Sequence, residues 1–160
     1  MNGHHHVLIV TQDSARGGSL GAWLASEGYS VMCVSTFAAA RLYLQMRPGV
    51  LITELKLGAY NGLHLAVRAH ATSIPVVVLG ERDEFFEREA RQLGTTYIPF
   101  DDATRERIVA YVEATIRDAK TNESDHLAWI EHSRIGNLRH EPLAAPASLV
   151  KFPDRRLNLN

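Results

Sequence analysis

The amino-acid sequence predicts an α/β protein with a doubly wound, five-stranded parallel sheet and helices on both faces. Short unbroken apolar runs occur along the chain, such as VLIV at Val7–Val10 and VVVL at Val76–Leu79. Strands that are apolar on both faces are typical of parallel sheets covered by helices on each side. Amphipathic segments separate these runs, and five strand–helix units follow one another within residues 5–119. This alternation is the pattern of a doubly wound domain.

The predicted strands lie near Val7–Val10, Val31–Val34, Val50–Ile52, Val76–Leu79 and Thr95–Phe100. The first four consist only of apolar residues. We therefore expect each of these four strands to be buried on both faces of the sheet.

The predicted helices each carry apolar residues at helical spacing. The five stripes are Leu20, Trp23 and Leu24; Phe37, Ala40 and Leu44; Leu63, Ala66, Val67 and His70; Phe86, Ala90 and Leu93; and Ile108, Val112 and Ile116. Residues at spacings of three and four share one face of a helix, so we expect each stripe to face the sheet.

Composition excludes several classes of protein. The chain has 160 residues and a formal net charge of −1, so it lacks the basic surface of proteins that bind nucleic acid or anionic membranes. No apolar run approaches the roughly 18 residues of a membrane-spanning helix. Cys33 is the only cysteine, which rules out an internal disulfide, and the first residues do not resemble an export signal. We expect a cytoplasmic protein that binds neither nucleic acid directly nor a membrane.

Residues 121–160 differ from the rest of the chain. Three of the six prolines of the chain lie in its last twenty residues. Over the whole range 121–160, five acidic residues balance five basic ones. His126–Arg134 is compatible with a short helix, and the remainder with an extended tail. We therefore expect a domain at residues 1–120 and a C-terminal extension at 121–160 that is not a second domain.

The candidate functional residues follow the predicted strands. In doubly wound sheets, ligands bind at the carboxyl ends of the strands. Here these ends are Thr11-Gln12-Asp13 after the first strand, Glu54 after the third, Gly80 after the fourth and Pro99-Phe100 after the fifth.

The sequence from residue 5 to 119 resembles the CheY-like receiver domain of bacterial response regulators. The resemblance rests on VLIV followed by polar residues, on PGVLITELKLGAYNGL at Pro48–Leu63, on IPVVVL at Ile74–Leu79 and on Gly94–Phe100. It implies the strand order 2-1-3-4-5. It also implies a phosphoryl-transfer site with two acids after the first strand, an Asp acceptor after the third, a hydroxyl after the fourth and a Lys after the fifth.

All five positions of that site are changed here. The two acid positions hold Thr11 and Gln12, and Asp13 lies one residue beyond them. The acceptor position holds Glu54 and the hydroxyl position holds Gly80. The Lys position falls on Phe100, or is deleted if Pro99-Phe100 is aligned with the family's Pro-Phe pair, and neither alignment supplies a Lys. A longer acid misplaces its oxygens for in-line attack. We therefore expect a degenerate receiver that is not an enzyme, has no catalytic residue or metal site, and needs neither Mg²⁺ nor another cofactor.

Two interpretations of Glu54 stay open. A Glu reaches further than an Asp and can imitate a phosphorylated Asp, although Gly80 offers no hydroxyl for it to attract. Alternatively, Glu54 is a solvated residue in a pocket that no longer works.

The resemblance places an output surface on the fourth helix, the fifth strand and the fifth helix. Tyr97 occupies the position of the aromatic switch residue, and we weigh an inward ring, admitted by the space at Gly80, against an exposed edge tyrosine. We weigh two interpretations of the charged fourth helix, a solvated helix held by salt bridges and an interface from which Phe85 projects as an anchor for a partner. We favour the interface because Phe85 would otherwise be exposed. We expect the partner to be a signalling or output protein, with a homodimer as one form of this contact.

The leading interpretation is a two-component signalling module that acts by protein–protein interaction without Asp phosphorylation. One alternative is a sensor that binds a small molecule between Thr11, Gln12, Glu54 and Gly80. The other is an atypical receiver that is still phosphorylated.

Overall fold

The computed structural model describes residues 6–102 and 104–136, with side chains described as far as residue 120. The chain divides into two compact units, Met1–Ser124 and Asp125–Asn160. The predicted extended tail at 137–160 lies outside the described residues.

The strands are β1 His6–Val10, β2 Ser30–Val34, β3 Val50–Glu54, β4 Lys56–Leu57, β5 Tyr60–Asn61, β6 Val76–Gly80 and β7 Thr96–Pro99. Five of them form a parallel sheet in the order β2-β1-β3-β6-β7, while β4 and β5 form a separate antiparallel pair. With this small pair set apart, the order is the predicted 2-1-3-4-5. The predicted fold class is therefore confirmed.

The helices are α1 Ser14–Ser26, α2 Phe37–Leu44, α3 Gly62–His70, α4 Glu84–Gln92 and α5 Thr104–Gly136. The short helix expected at 126–134 falls within the bounds of α5. In the part of the chain that the structure describes, no helix is both long and apolar enough to cross a membrane.

The core consists of two layers because successive residues of a strand point to opposite faces. Leu8 and Val78 pack against α2, α3 and α4 on one face, while Ile9 and Val77 pack against α1 and α5 on the other. Every residue of β3 and β6 is buried, as expected for central strands covered on both sides.

The prediction that the second strand is buried on both faces is wrong. β2 is an edge strand in which Met32 and Cys33 are exposed, and only Val31 and Val34 are partly buried. An apolar run does not distinguish a central strand from an edge strand, because strand order depends on distant parts of the chain.

The predicted inner face of the third helix is also displaced. Val67 and His70 are exposed, whereas Leu65 and Ala69 are fully buried beside Ala66. The helix starts at Gly62, where a Cβ would overlap the carbonyl oxygen of Glu54. This close approach fixes the rotation of the helix, and apolar spacing alone did not reveal it.

Candidate functional site

The carboxyl ends of the strands form the candidate site. Glu54 ends β3, Gly80 ends β6 and Phe100 directly follows β7. These three residues line a cavity of about 170 Å³. Thr11 and Gln12 are not among its lining residues, because they face a separate groove between α1, β2 and α2. The structure therefore brings Glu54, Gly80 and Phe100 together around one cavity, and Thr11 and Gln12 line a different groove.

Glu54 forms an ion pair with a residue outside the predicted set. Its Oε1 lies 2.5 Å from Nη1 of Arg16, in the first turn of α1. Glu54 is only 7% exposed, so the interpretation of a solvated leftover acid is wrong. The buried carboxylate of Glu54 therefore accepts a charge-assisted hydrogen bond from Arg16.

Phe100 completes the environment of that arginine. The guanidinium carbon of Arg16 lies 4.0 Å from the centroid of the Phe100 ring, which is a cation–π contact. The Phe100 ring thus supports a cation from α1. One positive charge therefore lies beside the Glu54 carboxylate.

Gly80 provides the space for Tyr97. A Cβ on Gly80 would overlap the Tyr97 hydroxyl and lie 3.1 Å from the ring carbon that carries it. The hydroxyl donates a 2.6 Å hydrogen bond to the carbonyl oxygen of Glu81. The structure places the Tyr97 ring inward over Gly80, so its hydroxyl occupies the space of the missing side chain.

The environment of Tyr97 disfavours the charged form of its phenol. Burial raises the pKa of Tyr97 to about 12, with further contributions from the carboxylates of Asp83, Glu87 and Glu81. The hydroxyl is therefore a hydrogen-bond donor throughout the physiological pH range.

The three residues after β1 have structural roles of their own. Thr11 is buried and its Oγ1 accepts a 3.0 Å hydrogen bond from the backbone N–H of Asp13. Asp13 is the N-cap of α1, where its carboxylate accepts a 3.0 Å bond from the backbone N–H of Arg16. Gln12 is exposed beside Gly58. Within the described residues, no group of three or more His, Cys, Asp or Glu side chains is arranged to hold a metal ion.

Phe85 lies on the surface of α4. Its side chain is 61% exposed, and its ring meets Phe86 edge-on at a centroid distance of 5.3 Å. Asp83 caps the helix by accepting hydrogen bonds from the backbone N–H groups of both phenylalanines. The cap stabilises the first turn of the helix, from which the Phe85 side chain projects into solvent.

Sequence reasoning missed Arg16. One local signal points to it, because a positive charge in the first turn of a helix is unfavourable next to the positive end of the helix dipole. An arginine in that position needs an acidic partner. Asp13 is an acidic partner close in sequence, with its Oδ2 3.9 Å from Nη2 of Arg16. The fold brings up a second acidic partner, Glu54, from 38 residues away.

The comparisons with known proteins identify the fold. No protein-family model matches the sequence, and no curated protein matches it. A response regulator receiver domain protein from Clostridium thermocellum is 17% identical with a TM-score of 0.66, over 72% of this chain and 97% of that chain. The beryllofluoride-activated NtrC4 receiver domain dimer is 18% identical with a TM-score of 0.64, over 71% and 98%. Full-length FixJ from B. japonicum is 24% identical with a TM-score of 0.63, over 82% and 68%.

The chain therefore has the CheY-like fold of response regulator receiver domains. The resemblance found in the sequence is confirmed at the level of the fold.

Proposed function

We propose that this protein is a two-component-type signalling module that acts by binding another protein, without phosphorylation of an aspartate. The observation that carries the proposal is the ion pair between Glu54 and Arg16 in the acceptor site. Phosphoryl transfer needs a carboxylate that is free to attack and a metal ion that offsets repulsion between two anions. Here an arginine already neutralises the carboxylate.

The other changed positions support the same proposal. The Tyr97 hydroxyl fills the space at Gly80, and Phe100 covers the guanidinium of Arg16. Each change supplies a contact within the chain where a receiver would contact a phosphoryl group or Mg²⁺. We infer a module that is not an enzyme and uses no Mg²⁺ or other cofactor. Its single cysteine fits a reducing cytoplasm.

The size of the cavity beside Glu54 argues against a small-molecule ligand bound in it. Ligand pockets commonly measure about 300–1,000 Å³. The cavity beside Glu54 measures about 170 Å³, and Arg16 and Phe100 are among the residues that line it. A sensor with a ligand bound in this cavity is therefore a weaker proposal.

The proposed surface for the partner consists of α4, β7 and residues 104–120 of α5. It presents Phe85 in a capped helix, and it adjoins Tyr97, whose ring is held against Gly80. Aromatic anchors at the centre of an interface commonly supply much of the binding free energy. Because Tyr97 is fixed, we propose that this surface has one constant conformation.

Phosphorylation is tested by incubating the full chain with acetyl phosphate and Mg²⁺, and separately with beryllofluoride. We expect an unchanged intact mass with acetyl phosphate and an unchanged NMR spectrum with beryllofluoride. Glu54→Gln is the matched control, because it keeps the size of the side chain and removes its nucleophile. A stoichiometric phosphoryl adduct that Glu54→Gln abolishes would contradict the proposal.

The partner surface is tested by affinity capture with wild-type, Phe85→Ala and Leu42→Ala baits. Leu42 is an equally exposed apolar residue on α2, at 66%, so it controls for the loss of any surface side chain. We expect Phe85→Ala to lose a specific partner that Leu42→Ala retains. Equal capture by all three baits would exclude this surface.

A further inference from the structure

The edge strand β2 is unusual for an edge of a sheet. Natural edge strands are commonly protected by charged residues or proline, because their unpaired backbone groups can add another strand. β2 has the sequence SVMCV, which contains neither, and residues 28–37 carry no charge at all. The opposite edge, β7, ends at Pro99. Only the β2 edge therefore has the sequence of a strand that can pair again.

The pairing with β1 shows which backbone groups point outward. The backbone N–H of Thr11 donates a 3.1 Å hydrogen bond to the carbonyl oxygen of Val34, so the N–H and C=O of Val34 face β1. Because these groups alternate along a strand, those of Met32 also face β1, and those of Val31 and Cys33 face outward. No backbone hydrogen bond to another described residue accounts for the outward groups of Val31 and Cys33.

Both sides of this edge are open. On the α1 side, the helix presents small residues, including Gly18, Gly21 and Ala22, and leaves a groove of about 890 Å³ that reaches Val31 and Cys33. On the α2 side, a mainly apolar groove of about 420 Å³ is lined by Met32, Tyr43 and Met46. An incoming strand thus has room for side chains that alternate between the two faces.

Exposed apolar side chains mark the α2 side of the edge. Met32 is 44% exposed and Met46 is 74% exposed. Contact between such side chains would remove apolar surface from water and add to the backbone hydrogen bonds.

We infer that β2 is a homodimer interface, in which a second copy of this chain adds its own β2 antiparallel to the first. A two-fold axis at Met32 would place Val31 opposite Cys33 of the second copy, and Cys33 opposite Val31 of that copy. Both residues point their backbone groups outward, so each of these two pairs can form about two hydrogen bonds. Met32 would face Met32 of the second copy as a pair without hydrogen bonds, consistent with its groups bonding to β1.

The absence of charge favours a second copy over another strand as the occupant. In a two-fold interface, each residue on the axis meets its own copy, and like charges opposite each other are destabilising. β2 satisfies this condition, because it has five residues, none of them charged, and the backbone groups of its central residue, Met32, point to β1 and away from the second copy. The symmetry would also place the apolar groove on the α2 side of one copy next to the same groove of the second copy. Met46 and Tyr43 of the two copies would meet there.

This inference is independent of the partner surface proposed above. The dimer uses β2, at one edge of the sheet, and the partner surface includes β7, at the other edge. A result that excludes the β2 dimer would leave the proposed partner surface untouched, and the reverse also holds. One molecule can use both surfaces at the same time.

Charge substitutions at Met32 test the interface. We expect the wild type to sediment as a dimer, and Met32→Lys and Met32→Glu each to sediment as a monomer, because each places like charges on the axis. An equimolar mixture of the two variants should form dimers again. A folding defect would not be rescued by mixing, so the rescue is specific to the contact. A wild type that stays monomeric across a dilution series, or dimers that both variants retain, would overturn the inference.

Cysteine cross-linking tests the register. Cα atoms of a directly opposed pair without hydrogen bonds lie about 4.5 Å apart, within the reach of a disulfide. Met32→Cys in a Cys33→Ser background should therefore give a covalent dimer under mild oxidation, which a reductant reverses. In the wild type, the two copies of Cys33 would be offset by two residues, about 9 Å apart and beyond that reach. Efficient cross-linking of wild-type Cys33, or of Phe85→Cys in the Cys33→Ser background instead of residue 32, would assign the dimer to a different register or surface and overturn the inference.

Discussion

Replacement of Arg16 by Ala tests whether the ion pair with Glu54 stabilises the fold. The substitution removes the only cation that the structure shows in contact with Glu54 within the described residues, and it leaves the carboxylate in a site where Glu54 is 7% exposed. It also removes the cation from the face of Phe100. We expect Arg16→Ala to lower the free energy of unfolding.

The size of the effect follows from the two contacts. Hydrogen bonds to charged groups contribute about 1.5–3 kcal/mol, and a cation–π contact near the surface contributes about 0.5–1 kcal/mol. The Arg16 side chain is 38% exposed, so water reaches one side of the pair and weakens both contributions. We therefore expect a loss of about 2 kcal/mol, below the roughly 3–5 kcal/mol reported for breaking a fully buried pair.

The assay is urea unfolding followed by circular dichroism, for wild type, Arg16→Ala, Glu54→Gln and the double variant. Glu54→Gln removes the charge that Arg16→Ala leaves unpaired, so the double variant should lose less than the sum of the single variants, by about 1–2 kcal/mol. Arg117→Ala breaks an exposed helical pair with Glu113 and is the matched control, with an expected loss below about 0.5 kcal/mol. Additive single effects, or a loss for Arg16→Ala no larger than that of the control, would refute the structural role of the pair.

Three further predictions concern Gly80, Tyr97 and Cys33. Gly80→Ala should expel the Tyr97 ring, change the near-ultraviolet circular dichroism and cost about 1–3 kcal/mol, whereas Gly18→Ala, whose Cβ would meet no atom within 4 Å, should be neutral or stabilising. Burial raises the pKa of Tyr97 to about 12, so the contribution of its neutral phenol to the stability of the fold is complete below about pH 10 and is lost as pH rises through 12. Subtracting the tyrosinate titration of Tyr97→Phe from that of the wild type should show a midpoint near 12. A midpoint near 10 would contradict the prediction. The Cys33 thiol has its pKa raised by burial first and by Glu54 second, so iodoacetamide should alkylate it more slowly at neutral pH than it alkylates an unfolded control peptide. Glu54→Gln should close only a small part of that difference, and full equality with the peptide in wild type would show that the thiol is unperturbed.

The fold was predictable because its main signals are local. Unbroken apolar runs and helical stripes gave the order of strands and helices, and the resemblance gave the strand order. The errors fall where the structure depends on contacts between distant segments. Met32 and Val67 are apolar but exposed, because strand order leaves β2 at the edge and the approach of Gly62 to Glu54 fixes the rotation of α3.

The site was predictable only in part. The spacing of the motif located Glu54, Gly80 and Phe100, and all three line one cavity. The partner of Glu54 was not predictable from spacing, because Arg16 belongs to no receiver motif and lies on another element. Spacing locates candidate positions along the chain, and only three-dimensional contacts show which side chains meet there.

The length of the Glu54 side chain has a physical reason in the contact with Arg16. Glu54 Oε1 lies 2.5 Å from Nη1, and an aspartate on the same backbone would withdraw its carboxylate by one bond of about 1.5 Å. The gap would then widen to about 4 Å, too long for a hydrogen bond.

Glu54→Asp should therefore destabilise the protein, although it keeps a carboxylate at this position. Because the longer side chain spans the distance to α1, we expect Glu54→Gln, which retains an oxygen at that distance, to unfold at a higher urea concentration than Glu54→Asp. With acetyl phosphate and Mg²⁺, Glu54→Asp should remain unmodified, since Thr11, Gln12, Gly80 and Phe100 still provide no metal ligand pair, hydroxyl or lysine in the usual positions. Greater stability of Glu54→Asp than of Glu54→Gln would show that reach to Arg16 does not explain the glutamate.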